Sequence, residues 1–206
     1  MLPITFVILI SYLIGSIPTA YLITKWYAKT DLRFEGSRNI GARNAYEVTS
    51  NKTIGILILI VDLLKGALPI FVLFLFDYSG LIPFAAASLV LGHCYPIWLR
   101  FHGGRGLATA AGIVLLVSPL LIVVWLFSYL LSELVKSNVH LQAVAATIVT
   151  AAIALLFSHE LLSFFSYTST GWSNEVLLRW QYGATGIFVV IVSRHIEPLK
   201  GYFIKA

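Results

Sequence analysis

Long apolar runs separated by short polar segments dominate this sequence. The runs lie at roughly 3–24, 54–76, 81–99, 107–135, 139–158 and 180–193. Several of them reach the ~18 residues that a helix needs to cross a bilayer. The pattern predicts an all-α, polytopic integral membrane protein. Because the sequence shows no linker or internal repeat, we expect a single membrane domain over residues 1–206.

One of these runs is too long for a single crossing. As one helix, residues 107–135 would extend ~44 Å, against a hydrocarbon core of ~30 Å. Ser118 and Pro119 lie near its middle, and proline ends or kinks helices. We therefore predict a break at Pro119, which brings the count to about seven transmembrane helices.

Lys and Arg are concentrated in only some of the connecting segments. They cluster in 25–53, in 100–106 and at the C-terminus, whereas the turn 77–80 contains neither. Because cytoplasmic loops carry the excess of Lys and Arg, these basic segments are predicted to be cytoplasmic. The N-terminus and the turn 77–80 would then lie outside. With the break at Pro119, Lys136 falls inside and the loop 159–179 falls outside.

Composition excludes a soluble globular protein, since 59% of residues are hydrophobic, 11% are charged and the mean hydropathy is +0.89. We interpret the net charge of +5 as the basic cytoplasmic face rather than as a nucleic-acid site. Cys94 is the single cysteine, so no internal disulfide forms, and the sequence predicts no metal or cofactor. The first run lacks the features of a signal peptide and is interpreted as a retained span. Most of the five tryptophans suit the interfacial belt: Trp26, Trp98, Trp125, Trp172 and Trp180.

The first polar island, residues 31–44, combines small residues and amides with charges. Side chains such as those of Ser37, Asn39 and Asn44 can coordinate phosphate or hydroxyl oxygens, and Arg43 can neutralise charge. An ordinary cytoplasmic loop with positive-inside arginines explains the island equally well.

A second island lies inside an apolar run. Asp62 and Lys65 are three residues apart and share one helix face, with Gly66 next to them. Ionisable groups at membrane depth normally face a protein interior or a wet cavity. Lys65 could form the floor of a cytoplasm-facing pocket, or the two residues could be a structural ion pair.

The third island, within 92–109, surrounds Arg105 with glycines at a predicted membrane boundary. Glycine lets backbone N–H groups approach a ligand and arginine adds a forked set of donors, so Gly103, Gly104 and Gly106 with Arg105 form a candidate anion site. Glycines also pack membrane helices closely, and His93 could merely end the preceding helix.

The fourth island ends the last apolar run. His195 has charged neighbours, Arg194 and Glu197, and could act as a base or hold an anion. An interfacial histidine beside a positive-inside arginine is the alternative. His140 and His159 are interpreted as isolated residues at helix ends.

Taken in order, these islands resemble the acyl-phosphate-dependent glycerol-3-phosphate acyltransferases of bacterial membranes, the PlsY family. The resemblance rests on Gly-Ser-x-Asn-x-Gly-Ala-x-Asn at 36–44, Asp-x-x-Lys-Gly at 62–66, Gly-His-x-x-Pro with Gly-Gly-x-Gly-x-Ala-Thr at 92–109, and Arg-His-x-Glu at 194–197. It implies seven membrane helices in the bacterial plasma membrane, with the motifs at the cytoplasmic side. It also implies acyl transfer from acyl phosphate to glycerol 3-phosphate, with membrane lipids around the protein and no nucleic-acid partner.

By the same resemblance, His195 and Ser37 are the expected catalytic residues. The residues expected to bind substrate are Asn39, Gly41, Arg43, Asn44, Lys65, His93, Gly103, Gly104, Arg105, Gly106, Arg194 and Glu197.

The sequence departs from the family pattern at several of these blocks. Relatives usually carry Gly, Thr, Arg and Lys where this chain has Arg38, Arg43, Glu47 and Arg105, and an Arg and an Asn where it has Ile196 and Pro198. A paralogue with another donor or acceptor, or a non-catalytic lipid- or phosphate-binding protein, therefore remains an alternative. A transporter fits less well because two repeated halves are absent.

Overall fold

The computed structural model describes residues 2–134, 138–157, 174–196 and 198–199. Over these residues the secondary structure is helical and contains no strand, which confirms the all-α prediction. The helices are α1 (Ile4–Gly15), α2 (Thr19–Tyr27), α3 (Ala42–Thr49), α4 (Lys52–Leu75), α5 (Ile82–Cys94), α6 (Leu107–Val117), α7 (Pro119–Glu133), α8 (Val139–Leu156) and α9 (Asn174–Ser193). Short 3-10 turns lie at Ser79–Leu81 and Ile97–Leu99. The predicted positions of Lys136 and of residues 159–173 lie outside the described residues.

The predicted break in the long run is confirmed. Between α6 and α7, Ser118 has φ −158° and ψ 85°, outside the helical region. A residue before proline is driven away from helical angles by the proline ring, so Pro119 ends one helix and begins the next.

A second break was not predicted. The run 3–24 is interrupted between α1 and α2, because Pro18 has no N–H to continue the helix. At the other end of the chain, α9 begins at Asn174, so the predicted loop 159–179 ends earlier than its polar residues suggested.

Four stretches in the described part of the chain are long and apolar enough to cross a membrane: Ile4–Tyr27, Lys52–Leu75, Ser79–Leu99 and Val139–Leu156. The helices α6 and α7 are apolar but shorter. Large apolar side chains such as Leu9, Leu68 and Leu130 are more than half exposed, as is expected of surfaces that face lipid. The predicted number of seven crossings stays a prediction.

Helix α5 is the centre of the bundle and packs against α1, α4, α6 and α9. Its Ile82, Leu89 and Val90 side chains are completely buried. Lipid tails are as apolar as leucine, so close packing rather than hydrophobic burial must hold such helices together. Gly66 of α4 and Gly112 of α6 allow these two helices to pack closely. A Cβ on Gly66 would overlap the Thr109 carbonyl, and a Cβ on Gly112 would overlap the Leu63 carbonyl. This contact fixes the start of α6, where Arg105 lies.

Candidate active site

Asn44 organises the first polar island from within. Its side chain is 1% exposed, and its Oδ1 accepts a hydrogen bond from the Ser37 N–H at 2.9 Å. Its Nδ2 donates to the carbonyls of Asn39 at 2.9 Å and Glu35 at 3.2 Å. Both amide hydrogens and the carbonyl oxygen are thus used inside the loop. Asn44 thus shapes the loop, whose exposed Ser37 and half-buried Asn39 reach the surface. The substrate contact expected of Asn44 stays a prediction.

The glycine turn at 103–104 is bonded within the protein. The Gly103 N–H donates to the Cys94 carbonyl and the Gly104 N–H to the His93 carbonyl, both at 3.1 Å. Their own carbonyls accept from Arg194, at 2.9 Å for Gly103 and 3.2 Å for Gly104. The N–H groups of these two glycines already have partners within the protein. The substrate contact expected of Gly103 and Gly104 stays a prediction.

The turn has no room for a side chain at Gly104. A Cβ on Gly104 would overlap His93 Nε2 and lie 2.8 Å from the Ile40 carbonyl oxygen. The Ile40 carbonyl belongs to the backbone of the first island and cannot rotate away. The turn thereby packs the first island directly against the end of α5.

Gly106 immediately precedes α6 and has a backbone conformation that favours glycine. Its φ of +84° lies in the left-handed region that favours glycine, and α6 begins at the next residue. Glycine offers no side chain to cap the helix, so the first-turn N–H groups of α6 receive no bond from the N-cap residue. The positive end of a helix therefore adjoins Arg105.

Arg105 belongs to what we call the cationic cluster: Arg43, Arg105, Arg194, His140 and His195. Burial, followed by the positive charges of Arg43 and Arg194, lowers the pKa of the half-buried Arg105 guanidinium. Arg43 pairs with Glu47 at 2.8 Å on the surface of α3, and that carboxylate offsets part of the repulsion. Arginine stays protonated even so, and such an excess of positive charge suits an anionic ligand.

His195 is 1% exposed, and its Nδ1 lies 2.9 Å from the Ile191 carbonyl oxygen. Because a carbonyl only accepts, Nδ1 donates, which leaves the Nε2 lone pair of the neutral ring available. Burial lowers the pKa of His195, as do the charges of Arg105 and Arg194, although the bond to Ile191 opposes them. The imidazole is therefore mostly neutral near pH 7, the form that a base requires.

His140 is the cluster member that sequence reasoning missed. Its ring lies 6.0 Å from that of His195, with the two planes at 63°, and belongs to the first turn of α8. It was interpreted as isolated because no spacing links it to the other islands. Only the packing of α8 against α9 brings the two rings together.

Lys65 and Asp62 form a buried ion pair beneath the glycine turn. Lys65 Nζ lies 2.7 Å from Asp62 Oδ1 and donates to the Ile17 carbonyl, at the break between α1 and α2, at 3.1 Å. His93 Nδ1 lies 3.6 Å from the same carboxylate oxygen and 3.2 Å from Thr109 Oγ1. Of the two interpretations left open for this island, the structural ion pair is present. The phosphate contact expected of Lys65 stays a prediction.

The comparisons with known proteins decide the family. A model of the glycerol-3-phosphate acyltransferase family matches residues 5–203. The chain belongs to this family. A glycerol-3-phosphate acyltransferase of Pelagibacter ubique is 38% identical over 159 residues, 77% of this chain and 82% of that protein. The protein of that name from Anaplasma phagocytophilum is 38% identical over 149 residues, 71% of this chain and 77% of that protein.

Solved structures of the family agree with this fold. The crystal structure of PlsY (YgiH), an integral membrane glycerol 3-phosphate acyltransferase, in its glycerol 3-phosphate form matches with a TM-score of 0.78 and 29% identity. The match covers 98% of this chain and 92% of that one. The lysophosphatidic acid form of PlsY matches with a TM-score of 0.76 and 27% identity, over the same shares of the two chains. The resemblance to the family is thus confirmed, and this chain is an integral membrane protein. Among the expected site residues, Glu197 lies outside the described part.

Gly104 provides a test of the packed turn. We expect Gly104→Ala to lower the free energy of unfolding by about 1–3 kcal/mol, because its Cβ has no room. At roughly 2–4 °C per kcal/mol for a chain of this size, thermal unfolding in detergent would detect the loss. Gly186→Ala on α9 is the matched control, since its Cβ would lie 3.5 Å from Ala87 Cβ, an ordinary contact. Equal melting temperatures for the two variants would contradict the packing argument.

Proposed function

We propose that this protein transfers an acyl chain from acyl phosphate to the 1-hydroxyl of glycerol 3-phosphate, giving lysophosphatidate and inorganic phosphate. This is the first acylation of phospholipid synthesis. One observation carries the proposal: Arg105 and Arg194 lie close to the buried His195 at the end of a membrane helix, and Arg43 lies close to Arg105. Both substrates carry phosphate, and family membership supports glycerol 3-phosphate as the acceptor.

The chemistry needs positioning more than a reactive protein group. The glycerol 1-oxygen attacks the acyl carbonyl carbon and an ester bond forms. The bond from that carbon to the bridging phosphate oxygen breaks, and phosphate leaves with the electron pair. The hydroxyl proton passes to His195 Nε2 and then to phosphate, or directly to the leaving phosphate. Because acyl phosphate is an activated mixed anhydride, orientation and charge stabilisation suffice.

Each part of the site has a role in this scheme. Arg105 and Arg43 neutralise phosphate, and Ser37 with Asn39 contacts the polar end of the substrates. Arg194 acts by fixing the glycine turn, since its guanidinium donates to the Gly103 and Gly104 carbonyls. Lys65 and His93 are expected to bind substrate, and the His93 carbonyl also accepts the Gly104 N–H of the turn. Gly41, Gly106 and Glu197 complete the expected binding set.

We also propose the bacterial plasma membrane as the location, with the cationic cluster on the cytoplasmic side and the N-terminus outside. The distribution of Lys and Arg supports this orientation. Glycerol 3-phosphate is a soluble anion, so it would reach the cluster from the cytoplasm.

The proposal is tested by incubating the purified protein with acyl phosphate and glycerol 3-phosphate. We expect lysophosphatidate and phosphate in equal amounts. Acyl thioesters and other polyol phosphates, tested in parallel, would reveal a paralogue with another donor or acceptor. Binding of either substrate without phosphate release would instead show a non-catalytic binding protein.

The protonation state of His195 predicts how kcat/KM depends on pH. If His195 takes the proton, kcat/KM falls as pH drops and the ring becomes protonated. Because burial and two arginines lower its pKa from the ordinary 6.5, this fall should centre below pH 6.5. In the His195→Gln variant, this fall in kcat/KM at low pH should disappear and most of the rate should be lost. If the variant kept the same fall in kcat/KM at low pH, the leaving phosphate rather than His195 would be the proton acceptor.

A further inference from the structure

An apolar cavity of about 220 Å³ lies between α6, α7, α8 and α9. A cavity of roughly 150 Å³ suffices to hold a benzene ring in another protein, so this one can hold part of a hydrocarbon chain. None of the roles assigned above uses it.

One end of the cavity lies close to the cationic cluster. Leu107 and Ile191 line it there. Leu107 follows Arg105 and Gly106 in the chain, and the Ile191 carbonyl accepts the hydrogen bond from His195. A molecule whose polar end occupied the cluster would therefore extend its tail into this space.

The walls accept only hydrocarbon. The Trp125 indole N–H donates to Thr147 Oγ1 at 3.1 Å, and Thr147 donates in turn to the Ala143 carbonyl at 2.6 Å. The Thr150 hydroxyl donates to the Ala146 carbonyl at 2.8 Å. The polar groups of the wall thus have partners within the protein, and the remaining lining is aliphatic or aromatic.

The far end is lined by Trp180, Ala154 and Leu121, whose side chains are at most 4% exposed. Along α9, Trp180 lies eleven residues from Ile191, or about 16 Å at 1.5 Å per residue. The indole cannot easily retreat: it belongs to the core cluster around Ile82, and a Cβ on nearby Gly183 would lie 2.8 Å from the Pro83 carbonyl oxygen. Trp180 is thus a rigid floor rather than the interfacial anchor that the sequence suggested.

We infer that Trp180 determines the length of acyl chain that this protein accepts, an inference that rests on the proposed function. The carbonyl end of the chain lies at the cationic cluster, and successive methylenes fill the cavity toward the indole. Each methylene on the way to Trp180 exchanges loose contacts with lipid for close contacts with the cavity wall, so binding strengthens with chain length up to the indole. A longer chain must bend or leave part of itself in lipid, so the gain stops.

The test compares Trp180→Ala with the unaltered protein over a series of acyl phosphates of increasing length. The chain length with the highest kcat/KM should move to longer chains in the variant, and kcat/KM for the longest acyl phosphate should rise relative to that for the shortest. Ala154→Leu fills the same end and should move the optimum to shorter chains. Trp26→Ala is the matched control, since Trp26 is 77% exposed and far from the cavity in sequence and fold. Identical length profiles in all four proteins would overturn the inference while leaving the acyl transfer intact.

A binding experiment distinguishes failure of this inference from failure of the proposed function. The affinity of the same four proteins for lysophosphatidates of graded length is measured by calorimetry in detergent. A shift of the preferred length in Trp180→Ala supports the length limit even if no protein turns over acyl phosphate, and in that case the proposed reaction alone fails. Should Trp180→Ala not fold, the opposite shift in Ala154→Leu carries the test, and no shift in that variant would overturn the inference.

Discussion

Replacing Arg105 with alanine should reduce turnover by at least about 10²–10³-fold, the usual effect of removing one preorganised donor from a charge-stabilising site. In the proposed reaction, negative charge grows on the leaving phosphate, and Arg105 is the half-buried cation at the open end of α6. Arg105→Lys should keep part of the rate, since it retains the charge but loses the forked pair of donors. The measurement is phosphate release at saturating acyl phosphate.

The control for this prediction is Arg100→Ala. Arg100 is exposed and lies on the same loop, so it shares the general electrostatic field without belonging to the cationic cluster. We expect nearly unchanged activity and an unchanged melting temperature for the control, and an unchanged melting temperature for Arg105→Ala as well. Near-normal turnover in Arg105→Ala would refute the phosphate role.

The largest effect on stability is expected at Asp62. Asp62→Asn leaves the Lys65 ammonium buried without its counter-charge, and breaking a buried pair in this way costs about 3–5 kcal/mol. Denaturation in mixed micelles would measure the loss. The double variant Asp62→Asn with Lys65→Met removes both charges and should recover most of it, because a neutral buried pair needs no compensation.

The same double variant also tests the contact expected between Lys65 and phosphate. If Lys65 acts only on stability, the double variant keeps its KM for both substrates. A KM that rises at least about tenfold, corresponding to ~1.4 kcal/mol, would place the ammonium in direct contact with a phosphate group. A double variant no more stable than Asp62→Asn would contradict the ion-pair argument.

The membrane character and the break at Pro119 could be predicted from sequence because both depend on local properties. Hydropathy is summed over one run, and proline acts on the residue beside it. The break at Pro18 follows from the same chemistry. It lies in an apolar run whose length suits a single crossing, so the length of that run gave no reason to predict a break. The early start of α9 at Asn174 was hidden because polar residues begin that helix.

The sequence predicts a set of site residues but not the contacts that these residues make within the protein. The family resemblance assigned Asn44, Gly104 and Lys65 to the substrate, and the structure gives each of them protein partners as well. Such partners are set by packing between distant segments, which sequence spacing does not encode. His140 illustrates the converse, since it meets His195 only through the contact of α8 with α9.

The order in which the chain is synthesised has a consequence for the cationic cluster. Arg43 and Arg105 precede α9 in the chain, whereas Arg194 and His195 follow it. A chain without α9 in place therefore lacks His195, the proposed base, and the glycine turn lacks the guanidinium that fixes its carbonyls. In the proposed reaction the site is therefore complete only when α9 has packed against α5, because that packing brings Arg194 and His195 to the residues of the earlier helices.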